Sequence, residues 1–351
     1  MTDQREAVLH ALQSVAGPDG RALGVDNHTL EITITSDRIA VSIAIDPKDA
    51  AIWEPVRREV ETRISQLGGA THRAVVTLTA QSQRPPMPPK PAVATFPNLA
   101  KIKHIIAVAS GKGGVGKSTT ACNLALTLRA RGLAVGILDA DIYGPSMPKL
   151  LNLKGRPNLV SGRTLAPLEA YGCKVMSIGF VVETETALVW RGPMVASAIT
   201  QMLRDIAWGT LDVLVVDMPP GTGDAQLTLA QNVPLAGAVI VSTPQDLALI
   251  DARRGVEMFR SVGVPILGLI ENMSYFICDD CGKRHHIFSH GGARTEAEKL
   301  NVPFLGEIPL DPAIRERADS GLPIVVTEPD GPQAESYRTI ADRILEGLNI
   351  C

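Results

Sequence analysis

Residues 110–119 read Ser110-Gly111-Lys112-Gly113-Gly114-Val115-Gly116-Lys117-Ser118-Thr119. Gly111, Gly116, Lys117 and Ser118 satisfy Gly-x4-Gly-Lys-Ser, between an apolar run at 105–109 and a stretch of helical period at 119–131. A strand, a glycine loop and a helix in that order make a phosphate-binding loop. Glycines let the backbone curl until several N–H groups face one phosphate, and the helix adds the positive end of its dipole. Gly113, Gly114, Val115 and Thr119 complete the cradle. Lys117 is placed to reach the β- and γ-phosphates of ATP, and the Ser118 hydroxyl to ligate Mg²⁺.

Outward from this loop, strands and helices alternate. Strands are expected at 104–109, 134–139, 212–217, 237–242, 265–270 and 303–308, with helices at 117–131 and 247–261. Nearly continuous apolar strands in such alternation predict an α/β fold: a mostly parallel sheet covered on both faces, forming a P-loop NTPase domain over residues 100–351. The interval 140–211 is expected to hold a switch loop, an irregular or hairpin segment and a helix from Met194 to Ile206.

Chemistry in such folds sits at strand ends. Val213-Leu214-Val215-Val216-Asp217 is an apolar strand ending in a carboxylate, the Walker-B pattern, which suits Asp217 to Mg²⁺. It runs into Met218-Pro219-Pro220-Gly221-Thr222-Gly223-Asp224, where Gly221 offers a hinge and a backbone contact for the γ-phosphate. Leu138-Asp139-Ala140-Asp141 ends another strand with two carboxylates, suited to Mg²⁺ and to orienting a water, or to capping a helix. Asn272 closes a further strand, and its amide can both donate and accept.

Lys112 stands where ordinary loops of this kind carry an arbitrary residue. The string Lys-Gly-Gly-Val-Gly-Lys-Ser resembles the deviant Walker A loop of the MinD, ParA, ArsA and nitrogenase iron-protein ATPases. That resemblance implies that Lys112 crosses a homodimer interface to the partner's nucleotide; the plainer reading is a solvated charge. It also implies that Asp141 positions the attacking water, that Asp139 is a Mg²⁺-shell or structural partner, that Asn272 reads the adenine edge, and that the loop Pro309-Leu310-Asp311-Pro312 closes over the base. The catalytic set is then Lys112, Lys117 and Asp141.

Tyr275-Phe276-Ile277-Cys278-Asp279-Asp280-Cys281-Gly282 places two thiols close together in a turn. A redox dithiol would want a lowered thiolate pKa, which the two intervening aspartates oppose. Structural zinc could be completed within one chain by Cys278, Cys281, His286 and His290, at plausible spacing. An iron–sulfur cluster normally takes four thiolates, and this segment supplies two. Cys122 lies in the helix after the phosphate loop, while Cys173 and Cys351 are isolated. A two-fold dimer would supply four.

Together with Asp139 to Pro145, Trp190-Arg191-Gly192-Pro193-Met194, Asp217 to Asp224 and Glu271 through Cys281 to His290-Gly291-Gly292, these strings resemble the Mrp/ApbC family of iron–sulfur cluster carrier ATPases. The likeness covers about residues 101–345. It implies a homodimer that binds a labile 4Fe–4S cluster at bridging Cys278 and Cys281 pairs and passes it to apo iron–sulfur proteins, gated by slow ATP hydrolysis. The alternative is a nucleotide-switched regulatory ATPase with zinc at Cys278, Cys281, His286 and His290.

Upstream, residues 81–99 are crowded with proline and read as a semi-stiff linker. Residues 1–80 follow the order helix (Arg5 to Ala16), strands (Thr29 to Ile34, Ile39 to Ile45), helix (Ala50 to Leu67) and strand (Ala74 to Leu78), a small α+β domain. It resembles the MIP18-type domain. Two departures are that Gly17-Pro18-Asp19 stands for that family's acidic Asp-Pro-Glu turn, and Asp46-Pro47-Lys48 where many members carry a cysteine. A docking or regulatory module is expected.

The 351 residues carry a net charge of −3 and are 45% hydrophobic. Interspersed charge gives no reason to expect nucleic acid or an anionic membrane as partner. No apolar run approaches the roughly 20 residues of a membrane span, and Met1 to His10 shows no secretory h-region. Five unevenly spread cysteines look unlike a disulfide framework, so a reduced, cytoplasmic setting is expected. Tyr337 to Cys351 carries Arg338, Arg343, Asp342 and Glu346 and reads as a packed terminal helix, not a basic membrane-binding one.

Overall fold

The computed structural model describes residues 98–181 and 192–350, and in the N-terminal part 8, 9, 11, 12, 14–18, 23, 30–34, 38–45, 47–68 and 73–80. The expected linker up to residue 97 lies outside the described residues, as do Arg5, His10, Gln13, Asp19, Asp46, Trp190, Arg191 and Cys351. The chain divides into two units, Met1–Lys90 and Pro91–Cys351.

In the first unit β1 (Leu30–Ile34) pairs antiparallel with β2 (Arg38–Ile45), and β2 pairs parallel with β3 (Arg73–Ala80). Parallel neighbours need a crossover, and the helix Ala50–Gly68 supplies it. Ile39, Val41, Ile43 and Ile45, every second residue of β2, share one core with Trp53, Val60 and Ile64 of that helix.

The second unit contains β4 (Ile102–Ala109), β5 (Val135–Asp139), β6 (Leu159–Ser161), β7 (Thr164–Leu165), β8 (Leu168–Ala170), β9 (Cys173–Ser177), β10 (Leu211–Asp217), β11 (Gly237–Ser242), β12 (Ile266–Glu271), β13 (Phe276–Ile277), β14 (Arg284–His285) and β15 (Phe304–Glu307). Eight strands form one sheet in the order β15-β12-β11-β4-β10-β5-β9-β8. Its pairings are parallel except β8 with β9. Every residue of β5 and β11 is buried, as a sheet covered on both faces requires. The strand order reverses at β4, which opens a crevice at the carboxyl ends of the central strands. The phosphate loop emerges there.

The interval 140–211 holds more sheet than expected, because β9 pairs beside β5 and β8 closes that edge. Cys173-Lys174-Val175-Met176-Ser177 has a single β-branched residue, which leaves little strand signal in the sequence. The following helix runs Gly192–Arg204, slightly earlier than its apolar period suggests. The terminal helix Pro332–Gly347 buries Tyr337, Ile340, Ala341 and Ile344 in the core. Among the described residues no helix is long and apolar enough to cross a membrane.

Candidate nucleotide and thiol site

The loop leaves β4 and enters the helix Lys117–Ala130 through Gly116 at φ 80°, with Gly114 at φ 81°. Both conformations are left-handed and natural to glycine. Space forbids a side chain as well: a Cβ on Gly116 would stand 2.2 Å from Asn272 Nδ2, and one on Gly111 would stand 2.2 Å from the Asp251 backbone. Nothing lies within 4 Å of Cβ positions built on Gly113 and Gly114, so this stretch of the loop is open, as a phosphate cradle must be. Ser110 Oγ donates to the Lys112 carbonyl at 2.8 Å, and the Gly221 N–H to the Ser110 carbonyl at 3.1 Å. The segment after β10 is thereby tied to the loop.

Sheet register sets Asp217 of β10 beside Asp139 of β5. Lys117 Nζ lies 2.5 Å from Asp217 Oδ1, 3.2 Å from Ser118 Oγ and 4.0 Å from Asp141 Oδ2. Burial pushes the Asp217 carboxyl up, and Lys117 pulls it back. Its other oxygen, Oδ2, is buried without a partner. An orphan carboxylate oxygen near a serine hydroxyl is a donor set that suits a hard cation, so Ser118 and Asp217 fit Mg²⁺.

Asp139 differs. Its Oδ2 accepts the N–H groups of Ser146 (2.9 Å) and Met147 (3.0 Å) and the Ser177 hydroxyl (3.0 Å), while Oδ1 accepts the Asp141 N–H (3.2 Å). With both oxygens engaged in a fully buried side chain, Asp139 is held as a structural partner would be. Burial and the nearby Asp217 raise its pKa above the usual carboxylate range. Asp141 faces Lys117, with its carboxyl pushed up by burial and drawn down by that lysine.

A pocket of about 360 Å³ opens beside the loop, lined in part by Gly116, Thr119, Asn272, Met273, Pro309 and Asp311. Its size suits a small ligand, and it unites residues taken from three distant stretches of sequence. Two of them are also tied to neighbouring protein groups. Asn272 Nδ2 donates to the Val115 carbonyl at 2.8 Å, so one amide N–H steadies the phosphate loop and is not free to read a base. Asp311 caps the helix Pro312–Ser320 through the Ala313 N–H (2.8 Å) and accepts Gln333 Nε2 (2.5 Å), so it shapes the pocket wall.

Phe276 pairs with His285 and Ile277 with Arg284, leaving residues 278–283 as the turn. Gly282 at φ 68° closes it: its N–H donates to the Cys278 carbonyl at 2.8 Å, and the Cys278 N–H to the Lys283 carbonyl at 3.0 Å. The backbone N–H groups of Cys281 and Asp280 stabilise the Cys278 thiolate and hold the thiol below its ordinary 9.0, against the charge of Asp279. The expectation that the aspartates would prevail is corrected here, because aimed amides outweigh a solvated carboxylate. Cys278 is half-buried and Cys281 exposed, whereas Cys122 and Cys173 are buried. Burial lifts the Cys173 thiol to about 12.

The zinc set of the alternative reading is not brought together among the described residues. The rings of His286 and His290 stand 4.2 Å apart. Among the described residues, the possible metal ligands gathered within 4.8 Å are Glu271, His290 and Glu307, without either cysteine. Glu307 is already paired with Arg284 (2.7 Å) and Arg294 (3.5 Å).

Glu271 has no role in the sequence reading, yet it is fully buried at the end of β12. Its Oε1 accepts the Ser274 hydroxyl (2.7 Å) and the Gly291 N–H (3.0 Å), and its Oε2 accepts the Ala293 N–H (2.6 Å). A carboxylate ending the apolar run Ile266 to Ile270 was the available signal, since a buried charge demands partners.

Residues 101–345 match the family described as "NUBPL iron-transfer P-loop NTPase". The chain belongs to that family. Residues 5–76 of this NUBPL-type NTPase match the family "Iron-sulfur cluster assembly protein". An "Iron-sulfur cluster transfer protein NUBPL" of Dictyostelium discoideum is 55% identical over 251 residues, covering 71% of this chain and 78% of that protein. An "Iron-sulfur cluster carrier protein" of Synechocystis is 42% identical over 345 residues, covering 97% and 96%. A nucleotide-binding protein of Archaeoglobus fulgidus, solved in complex with ADP, is 42% identical with a TM-score of 0.60, covering 69% of this chain and 94% of that one. The cell-division ATPase MinD of Pyrococcus furiosus shares the fold at 22% identity and a TM-score of 0.53, covering 70% and 99%.

Proposed function

We propose that the chain is a homodimeric, ATP-hydrolysing carrier that holds a labile 4Fe–4S cluster between two protomers and passes it to apo iron–sulfur proteins. The observation that carries this reading is the supply of thiols. Cys278 and Cys281 share one accessible turn, while the other described cysteines are buried. Four thiolates for a cluster then come from two copies. Ile277 and Ile287, 48% and 57% exposed, give the cysteine loop apolar surface suited to a self-interface. The printed names of the Dictyostelium and Synechocystis relatives support the same cargo.

ATP is the substrate at the phosphate loop. Lys117 shares its ammonium between Asp217 and the β- and γ-phosphates, Lys112 reaches the partner's nucleotide, and Asp141 positions the attacking water. Ser118 and Asp217 would hold Mg²⁺, which when bound would neutralise phosphate charge there. Hydrolysis changes the dimer and thereby its hold on the cluster. The N-terminal unit serves docking or regulation, and a reduced cytoplasmic setting keeps the thiols available.

The test is anaerobic transfer from the loaded dimer to an apo 4Fe–4S acceptor, with and without ATP. Nucleotide-dependent transfer, lost in Cys278→Ala, supports the reading. Transfer indifferent to nucleotide contradicts the gating, and no transfer contradicts the carrier.

A further inference from the structure

We propose that Glu271 is a positioning residue that couples the phosphate loop to the cysteine turn; this rests on reading Cys278 and Cys281 as the cluster thiolates. Glu271 and Asn272 are consecutive, at and just beyond the end of β12. Their side chains take different partners. Asn272 grips the loop at the Val115 carbonyl. Glu271 grips Ser274 and Gly291, so one carboxylate closes both ends of the segment that carries the two cysteines. It also supplies charge to the start of the helix Gly292–Leu300, whose N-cap, Gly291, has no side chain to do so.

The backbone between the two grips is itself held. The Glu271 carbonyl accepts the Ile308 N–H at 2.9 Å, and the Asn272 N–H donates to the Ser242 carbonyl at 2.8 Å. Consecutive Cα atoms lie about 3.8 Å apart. A displacement of the loop at Val115 therefore reaches the clamp on the cysteine segment across a single peptide unit.

Glu271→Gln keeps the shape but replaces one acceptor oxygen with an amide donor, which must face either Ala293 or the Ser274 and Gly291 pair. The dimer is loaded with ferrous iron and sulfide, and iron loss to a ferrous chelator is followed with and without ATP. Iron loss from Glu271→Gln is expected about tenfold faster than from the parent, at a rate ATP no longer changes. A thermal melt shows that the variant is folded. Ser274→Ala removes one of the three contacts; it should show the same effect more weakly and serves if the first variant does not fold. Parent-like, ATP-responsive loss in both variants overturns the proposal. Equal iron retention by Cys278→Ala overturns instead the carrier reading on which it rests.

Discussion

Lys117 Nζ lies 2.5 Å from Asp217 Oδ1, with the lysine 6% and the aspartate 0% exposed. The lysine that the motif assigns to phosphates is therefore also the counter-ion of the Walker-B carboxylate. Removing one partner of such a pair costs about 3–5 kcal/mol, because the other is left buried and charged. Lys117→Met is expected to lower the melting temperature by several degrees and to abolish ATP binding. The double variant Lys117→Met with Asp217→Asn should regain most of the stability and none of the binding. Calorimetric melts beside fluorescent-nucleotide titrations check both, and a double variant no more stable than the single one contradicts the pair.

The meeting of Gly116 and Asn272 makes a sharper test of loop geometry. Gly116→Ala brings a Cβ to within 2.2 Å of Asn272 Nδ2 at a φ of 80°. ATP binding should be lost. Adding Asn272→Ala removes the clash but leaves the left-handed backbone, which costs about 1–2 kcal/mol for an L-residue, and also frees the Val115 carbonyl. Full recovery of affinity in the double variant would show that the contact alone was responsible.

Asp141 faces Lys117 without being its closest partner, which leaves it available to a water. Asp141→Ala should slow single-turnover hydrolysis on the order of 10²-fold while ATP still binds. A turnover rate unchanged from the parent would remove Asp141 from the chemistry.

Much of this was legible in advance, for identifiable reasons. The phosphate loop, Asp217 and the cysteine pair are local signals: each puts its chemistry into a few consecutive residues. The apolar strands of the main sheet announced themselves because both faces are covered. β9 did not, since Cys173 and Met176 read as neither strand nor helix. The hold on Asp139 depends on amides at Ser146 and Met147 and a hydroxyl at Ser177, which no spacing rule predicts. Glu271 was hidden for the same reason, because two of its three partners lie on the far side of the cysteine loop.

The cysteine turn yields a pH prediction. Amides at Cys281 and Asp280 favour the thiolate of Cys278, so its proton leaves at a lower pH than the ordinary 9.0. Alkylation by iodoacetamide, read at Cys278 by peptide mass spectrometry, should therefore rise with pH to a midpoint below 9.0. Gly282→Ala strains a turn closed at φ 68° and should move that midpoint upward. A parent midpoint at or above 9.0 contradicts the aimed amides.

A cluster shared across two copies of this chain is the claim on which the rest depends. Anaerobic reconstitution with ferrous iron and sulfide, followed by sizing chromatography with iron and zinc analysis, tests it most directly. The account predicts a coloured dimer with about four irons per two chains, as one 4Fe–4S cluster requires, and colourless protein from Cys278→Ala. Zinc retained by a monomer, with no iron-dependent colour, would contradict it.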